Sequence, residues 1–218
     1  MKILSMGLRL WQRGIRAIRR DLGKECDARY YDRRYKRGGD RQEYFKPAEE
    51  CVYFPVWQAL IARLQKDRDR ILELGCGPGQ LAVLLLRGGY QYLRGIDFSR
   101  EAIALAQRTA GESHRDKFVL GDLYDATPYR EVDYNTIICC EVLEHLENDL
   151  GVLDMIRPSV KILGTLPNYP SRAHVRHFAD EARIRDRYVS RLEFRLVEKI
   201  VLNPRGNAIF LMEGSKKP

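Results

Sequence analysis

Short apolar runs alternating with amphipathic stretches predict an α/β protein: a doubly wound, mostly parallel seven-stranded sheet with an antiparallel C-terminal hairpin and an N-terminal helical extension. Three observations carry that expectation. Apolar runs near 70–74, 91–96, 117–121, 135–140 and 160–166 are separated by helical patterns near 79–88, 99–110 and 143–155, the signature of parallel strands joined by crossover helices. After a last helix near 179–188, residues 192–202 and 207–213 flank Asn203-Pro204-Arg205-Gly206-Asn207, a turn composition that closes a hairpin. With 218 residues and 44% apolar content, the chain can bury one substantial core, assigned here to 49–218 after an extension over 1–48.

The extension holds all of the net charge. Residues 1–37 contain twelve Lys/Arg against four Asp/Glu, a net +8, and the remaining charges cancel. Leu4, Leu8, Trp11, Ile15, Ile18 and Leu22 form one helical stripe, surrounded by Arg9, Arg13, Arg16, Arg19 and Arg20, so an amphipathic basic helix is expected. Such a helix can pack on its own domain as a lid, lie on an anionic membrane, pair with another subunit or grip nucleic-acid phosphates. Beyond it, Tyr30, Tyr31, Tyr35, Tyr44, Phe45, Tyr53, Phe54 and Trp57 interleave with Arg29, Arg33, Arg34, Lys36, Arg37 and Arg41 around Gly38-Gly39. These aromatics and arginines can clamp an anionic or planar ligand, stack on bases, or simply pack with stems over rings. Five cysteines without a C-x-x-C pair suggest reduced thiols and a cytoplasmic setting, peripheral at the inner membrane surface if the basic helix docks there. No apolar stretch reaches membrane-spanning length.

The first strand runs Ile71-Leu72-Glu73-Leu74 into Gly75-Cys76-Gly77-Pro78-Gly79-Gln80. Glycines at every second position let a ligand lie against bare peptide. A dinucleotide fingerprint would place glycine at 80 and would not set Glu73 against a pyrophosphate. A Walker loop is excluded because no Gly-Lys-Ser/Thr follows. The expected ligand is cationic and lacks phosphate, which describes S-adenosylmethionine. The Glu-x-Gly-x-Gly-x-Gly loop resembles that of class I methyltransferases with a Rossmann-like fold, and the resemblance extends from about Tyr53 to the C-terminus. In that light Glu73, Gly75, Cys76, Gly77, Gly79 and, at the end of the fourth strand, Glu141 are cofactor-binding candidates, and residues 30–57 resemble the variable lid of such enzymes.

Asp97 closes the next strand 22 residues beyond Gly75, where a carboxylate can accept from both ribose hydroxyls. Phe98 is placed against adenine, and Ser99 is expected to cap the following helix. Gly121-Asp122-Leu123 ends the third strand; the resemblance implies that Asp122 holds the adenine amino group and the Leu123 amide the ring edge. The fourth strand leads into Glu141-Val142-Leu143-Glu144-His145-Leu146. If a helix begins near Val142, Glu141 and His145 share one face, and a His held by carboxylates is a ready general base.

This segment resembles quinone-biosynthesis and sugar O-methyltransferases, and also small-RNA 3′-end 2′-O-methyltransferases, in which two Glu and two His hold a divalent cation. By that resemblance Glu141, Glu144, His145, His174 and His177 are candidate ligands for Mg²⁺ or Mn²⁺; without metal, His145 is the base, with Glu141 and Glu144 as its catalytic partners. His114 is expected to be a solvated surface residue. The expected activity is O-methylation of a small metabolite, a sugar or glycan, or a lipid-linked acceptor. RNA ribose 2′-O-methylation is the alternative, and a non-catalytic membrane-recruited subunit of the same fold is a reading from another class.

Overall fold

The computed structural model describes residues 23–218, so the stripe from Leu4 to Leu22 lies outside the described residues. A helix α1 (Ala28–Lys36) and two 3-10 turns (Asp40–Phe45 and Ala48–Glu50) lead to α2 (Phe54–Ile61). Then come β1 (Ile71–Leu74), α3 (Gln80–Arg87), β2 (Leu93–Asp97), α4 (Arg100–Ala110), β3 (Phe118–Leu120), α5 (Thr127–Glu131) and β4 (Thr136–Cys140). The chain ends with α6 (Asp149–Asp154), β5 (Lys161–Pro167), α7 (Glu181–Tyr188), β6 (Leu192–Val201) and β7 (Ala208–Lys216). The seven strands pair in the order β3-β2-β1-β4-β5-β7-β6. The first five are mutually parallel, and β7 runs antiparallel to both β5 and β6.

Side chains alternate across each strand, and the burial follows that alternation. Leu72, Ile137, Ile162, Phe210 and Met212 join one apolar layer, while Ile71, Ile138, Leu163 and Leu211 join the other. Every residue of β1 is buried, as a strand covered on both faces requires. Because β2 and β4 flank β1 on opposite sides, the chain reverses its direction of winding there. A crevice opens at that point beyond the carboxyl ends of the strands.

One predicted element is different. In place of a helix over 143–155 there is a 3-10 turn (Leu143–His145), a break, and then α6. Two side chains cause the break. The Arg176 guanidinium donates to the carbonyls of Leu143, Leu146 and Glu147, taking acceptors a continuous helix would use. Asn148 then accepts from the Gly151 amide at 3.1 Å and starts a new helix as its N-cap. His114 also departs from expectation, being half-buried in the 3-10 turn Glu112–Lys117. Among the described residues no two cysteines form a disulfide.

Candidate active site

The strand ends, the turn after β4, the segment 169–174 and the aromatic face of α1 enclose a cavity of about 960 Å³. Its cofactor side is built mainly from backbone. Gly75 and Gly77 both have left-handed φ, +65° and +52°. A Cβ on Gly75 would meet Val142 Cγ2 at 2.6 Å, and one on Gly77 would meet the Tyr35 hydroxyl at 3.1 Å. Conformation thus disfavours a side chain at both positions, and at Gly75 space excludes one as well. Asp97 holds this loop: Oδ2 accepts from the Gly77 amide at 3.0 Å and Oδ1 from the Ser99 amide at 2.8 Å. Burial pushes the Asp97 carboxyl up to about 6 although these amides favour its ionised form. Ser99 caps α4, accepting from the Ala102 amide, as its position predicts.

Glu73 is buried, and one of its carboxylate oxygens has no hydrogen-bond partner. Burial, reinforced by Asp97, pushes it up to about 8. An unpartnered buried carboxyl is costly, and a cationic ligand group would remove that cost. Together with the bare glycine backbone and Asp97, this donor set fits the ammonium, sulfonium and ribose of S-adenosylmethionine. Cys76, Phe98, Asp122 and Leu123 also line the cavity. Gly79 does not. It starts α3, where a Cβ would lie 2.9 Å from Ala106 Cβ, so glycine there serves the packing of α3 on α4. Gln80, which replaces the third dinucleotide glycine, has a role that spacing alone did not reveal. Its amide donates to the carbonyls of Glu43 and Lys46 at 2.9 and 2.8 Å, fastening the lid to the cofactor loop.

The acceptor side is built from side chains distant in sequence. Glu141 is not on a helix face with His145. It precedes the 3-10 turn at φ +54°, its amide donates to Thr165 Oγ1 at 3.0 Å, and that hydroxyl donates to Glu141 Oε1 at 3.2 Å. His145 Nδ1 donates to the Ala173 carbonyl at 2.9 Å, and His174 Nδ1 to the Tyr169 carbonyl at 3.2 Å. Both carbonyls fix the tautomer, leaving each Nε2 with a lone pair. Ala173 is itself held at φ +63°, so two non-glycine residues at this end carry backbone strain.

The two rings stand edge to face, 4.8 Å apart. Glu144 is fully buried beside them with neither oxygen hydrogen-bonded. Ligand atoms of Glu144, His145 and His174 all lie within 4.8 Å of one another. Glu141 and His177 are outside that group. Burial lowers His145 to about 4 and His174 to about 3, and it raises Glu144, with Glu141 adding to the rise. Tyr31 of α1 meets both sides of the cavity. Its ring lies 5.3 Å from Phe98 and 5.9 Å, edge-on, from His145.

A model of the methyltransferase domain matches residues 71–162, the span from β1 into β5 that carries Glu73, Asp97 and Glu144. Residues 71–162 are a methyltransferase domain. The YqeM protein of Bacillus subtilis, which carries a methyltransferase name, is 27% identical over 110 residues, covering 50% of this chain and 44% of that protein. A ubiquinone biosynthesis O-methyltransferase of Actinobacillus pleuropneumoniae is 26% identical over 102 residues, 44% of this chain and 43% of that one. The matched stretch thus spans less than half the length of these curated relatives. Among solved structures, the Burkholderia thailandensis 1,6-didemethyltoxoflavin-N1-methyltransferase, with 1,6-didemethyltoxoflavin and S-adenosylhomocysteine bound, superposes with a TM-score of 0.63 at 17% identity. That match covers 88% of this chain and 87% of the other, and it establishes shared fold. Among the described residues no helix is long and apolar enough to cross a membrane.

Proposed function

We propose that the chain transfers the methyl group of S-adenosylmethionine to a hydroxyl of a small metabolite, a glycan or a lipid-linked ring. The observation that carries the reading is the pairing of an unpartnered Glu73 carboxyl beside bare glycine backbone with a neutral, tautomerically fixed His145 across the same cavity. The acceptor oxygen attacks the methyl carbon, the C–S bond breaks with its electron pair on sulfur, and S-adenosylhomocysteine leaves uncharged. The acceptor proton passes to His145 Nε2, which is unprotonated at neutral pH and is oriented by the Nδ1–H bond to the Ala173 carbonyl. The protein's share of the work is alignment and exclusion of water, for which the lid residues Tyr31, Tyr35 and Tyr44 are placed.

Glu144, His145 and His174 also form a donor set for a divalent cation: two imidazole nitrogens and a carboxylate suit Mn²⁺ better than Mg²⁺, which prefers oxygen. Bound there, the ion would supply Lewis-acid activation of the acceptor hydroxyl. That role and the general-base role compete for the same His145 nitrogen. This donor group is also what favours RNA ribose 2′-O-methylation as a second reading. The test is transfer of labelled methyl from S-adenosylmethionine to panels of phenols, sugars, lipid-linked hydroxyls and short RNA, before and after chelation. Turnover on a small or lipid-linked hydroxyl, insensitive to chelator, supports His145 as base. Metal-dependent turnover on RNA alone would replace this reading with the second one.

A further inference from the structure

The outer face of α1 is not explained by closing the cavity. Tyr30, Tyr31, Arg34 and Tyr35 line the cavity on its inner face, and Arg34 pairs with Asp40 at 3.2 Å. Arg29, Arg33, Lys36 and Arg37 are exposed on the other side, at helical intervals that put them on one stripe. The acidic residues of this segment are all engaged elsewhere. Asp27 accepts from the Tyr30 amide at the helix start. Asp32 accepts from Ser99 Oγ at 2.6 Å and from the Glu101 amide at 3.2 Å. Glu25 accepts from the Tyr124 hydroxyl and the Glu147 amide. Among the described residues no ion pair neutralises the four outward cations.

The cationic stripe has an apolar edge. The Phe45 ring lies over Gly38, immediately beyond α1, and is 50% exposed. Val52, 45% exposed, also lines the cavity, and its amide donates to Glu43 Oε2 at 3.3 Å, in the same 3-10 turn as Phe45. Cations with an adjacent exposed aromatic and aliphatic side chain match a bilayer interface, where headgroup charge and acyl surface meet. A nucleic acid would use the cations alone, leaving Phe45 and Val52 in water or stacked on a base.

We propose that the Arg29–Arg33–Lys36–Arg37 face, with Phe45 and Val52, is a docking surface for an anionic lipid bilayer, presenting the cavity mouth to the membrane. The proposal does not depend on methyl transfer. Its test is co-flotation of the full chain with phosphatidylcholine vesicles with and without phosphatidylglycerol, beside binding to a short RNA of mixed sequence. The full chain binds the anionic vesicles and not the neutral ones. Replacing Arg29, Arg33, Lys36 and Arg37 together by Gln lowers partitioning on the order of 1,000-fold, at about one surface-charge contribution per residue. Replacing the equally exposed Arg68, Arg130, Arg183 and Lys199 by Gln, the same charge change elsewhere, has a far smaller effect. Phe45→Ser lowers partitioning about fivefold. Both multiple variants retain wild-type melting temperatures. No binding to anionic vesicles, equal losses in the two sets, or tighter binding to RNA that the α1 set abolishes would overturn the proposal.

Discussion

The two sides of the cavity are built differently. At the ends of β1 and β2, Gly75, Gly77 and Asp97 act within a span of 23 residues, and they work through backbone amides and bare peptide. Across the cavity, Tyr31, Glu141, His145, Tyr169 and His174 meet from three segments, the first of which is more than a hundred residues from the other two. There the polar groups are side chains, two of them supported by strained backbone at Glu141 and Ala173. A site made of local backbone is set by residue spacing. A site made of converging side chains is set by the tertiary contacts that hold each loop in place.

The largest effects should come from the local side. Asp97→Ala removes the acceptor for the Gly77 and Ser99 amides as well as the proposed ribose ligand, so affinity for S-adenosylmethionine, measured calorimetrically, should fall on the order of 100-fold or more. Unchanged affinity would remove Asp97 from the site. His145→Ala should leave that affinity intact while lowering turnover about 10²- to 10⁴-fold; a parallel loss of cofactor binding would mean that the two sides are not separable.

These predictions follow what was legible in the sequence. Glu73, the glycines and Asp97 could be located because strand ends and turns are local, and the five parallel strands and the hairpin followed from periodicity. The segment 143–155 was misread because its path is decided by Arg176, a residue over twenty positions away whose guanidinium captures helix carbonyls. With the helix broken, Glu141 leaves the His145 face and His174 approaches it. Gln80 was visible only as a missing glycine, since its carbonyl partners at Glu43 and Lys46 lie in the lid.

Smaller effects sharpen the comparison. Gln80→Ala should loosen the lid and weaken cofactor binding about fivefold, with faster tryptic cleavage in residues 24–37; unchanged cleavage would mean that the lid is held elsewhere. Glu73 and Asp97 also predict a pH dependence of stability. Both carboxyls are raised in the folded protein, so it holds more protons than the unfolded chain between the unfolded and folded values. Their contribution is fully present below about pH 4. It is lost as pH rises through about 6 for Asp97 and about 8 for Glu73. Glu73→Gln should flatten the upper part of that loss in urea titrations; an unaltered profile would contradict the assignment.

The most direct measurement is calorimetric titration of S-adenosylmethionine into the protein at pH 7, repeated in buffers of different ionisation heat. Glu73, raised to about 8, is mostly protonated in the free protein and must ionise to face a cationic ligand. The account therefore predicts binding in the range from about 1 μM to 1 mM usual for enzyme substrates, with release of close to one proton and affinity rising with pH up to about 8. Absence of binding, or binding without proton release, would contradict it.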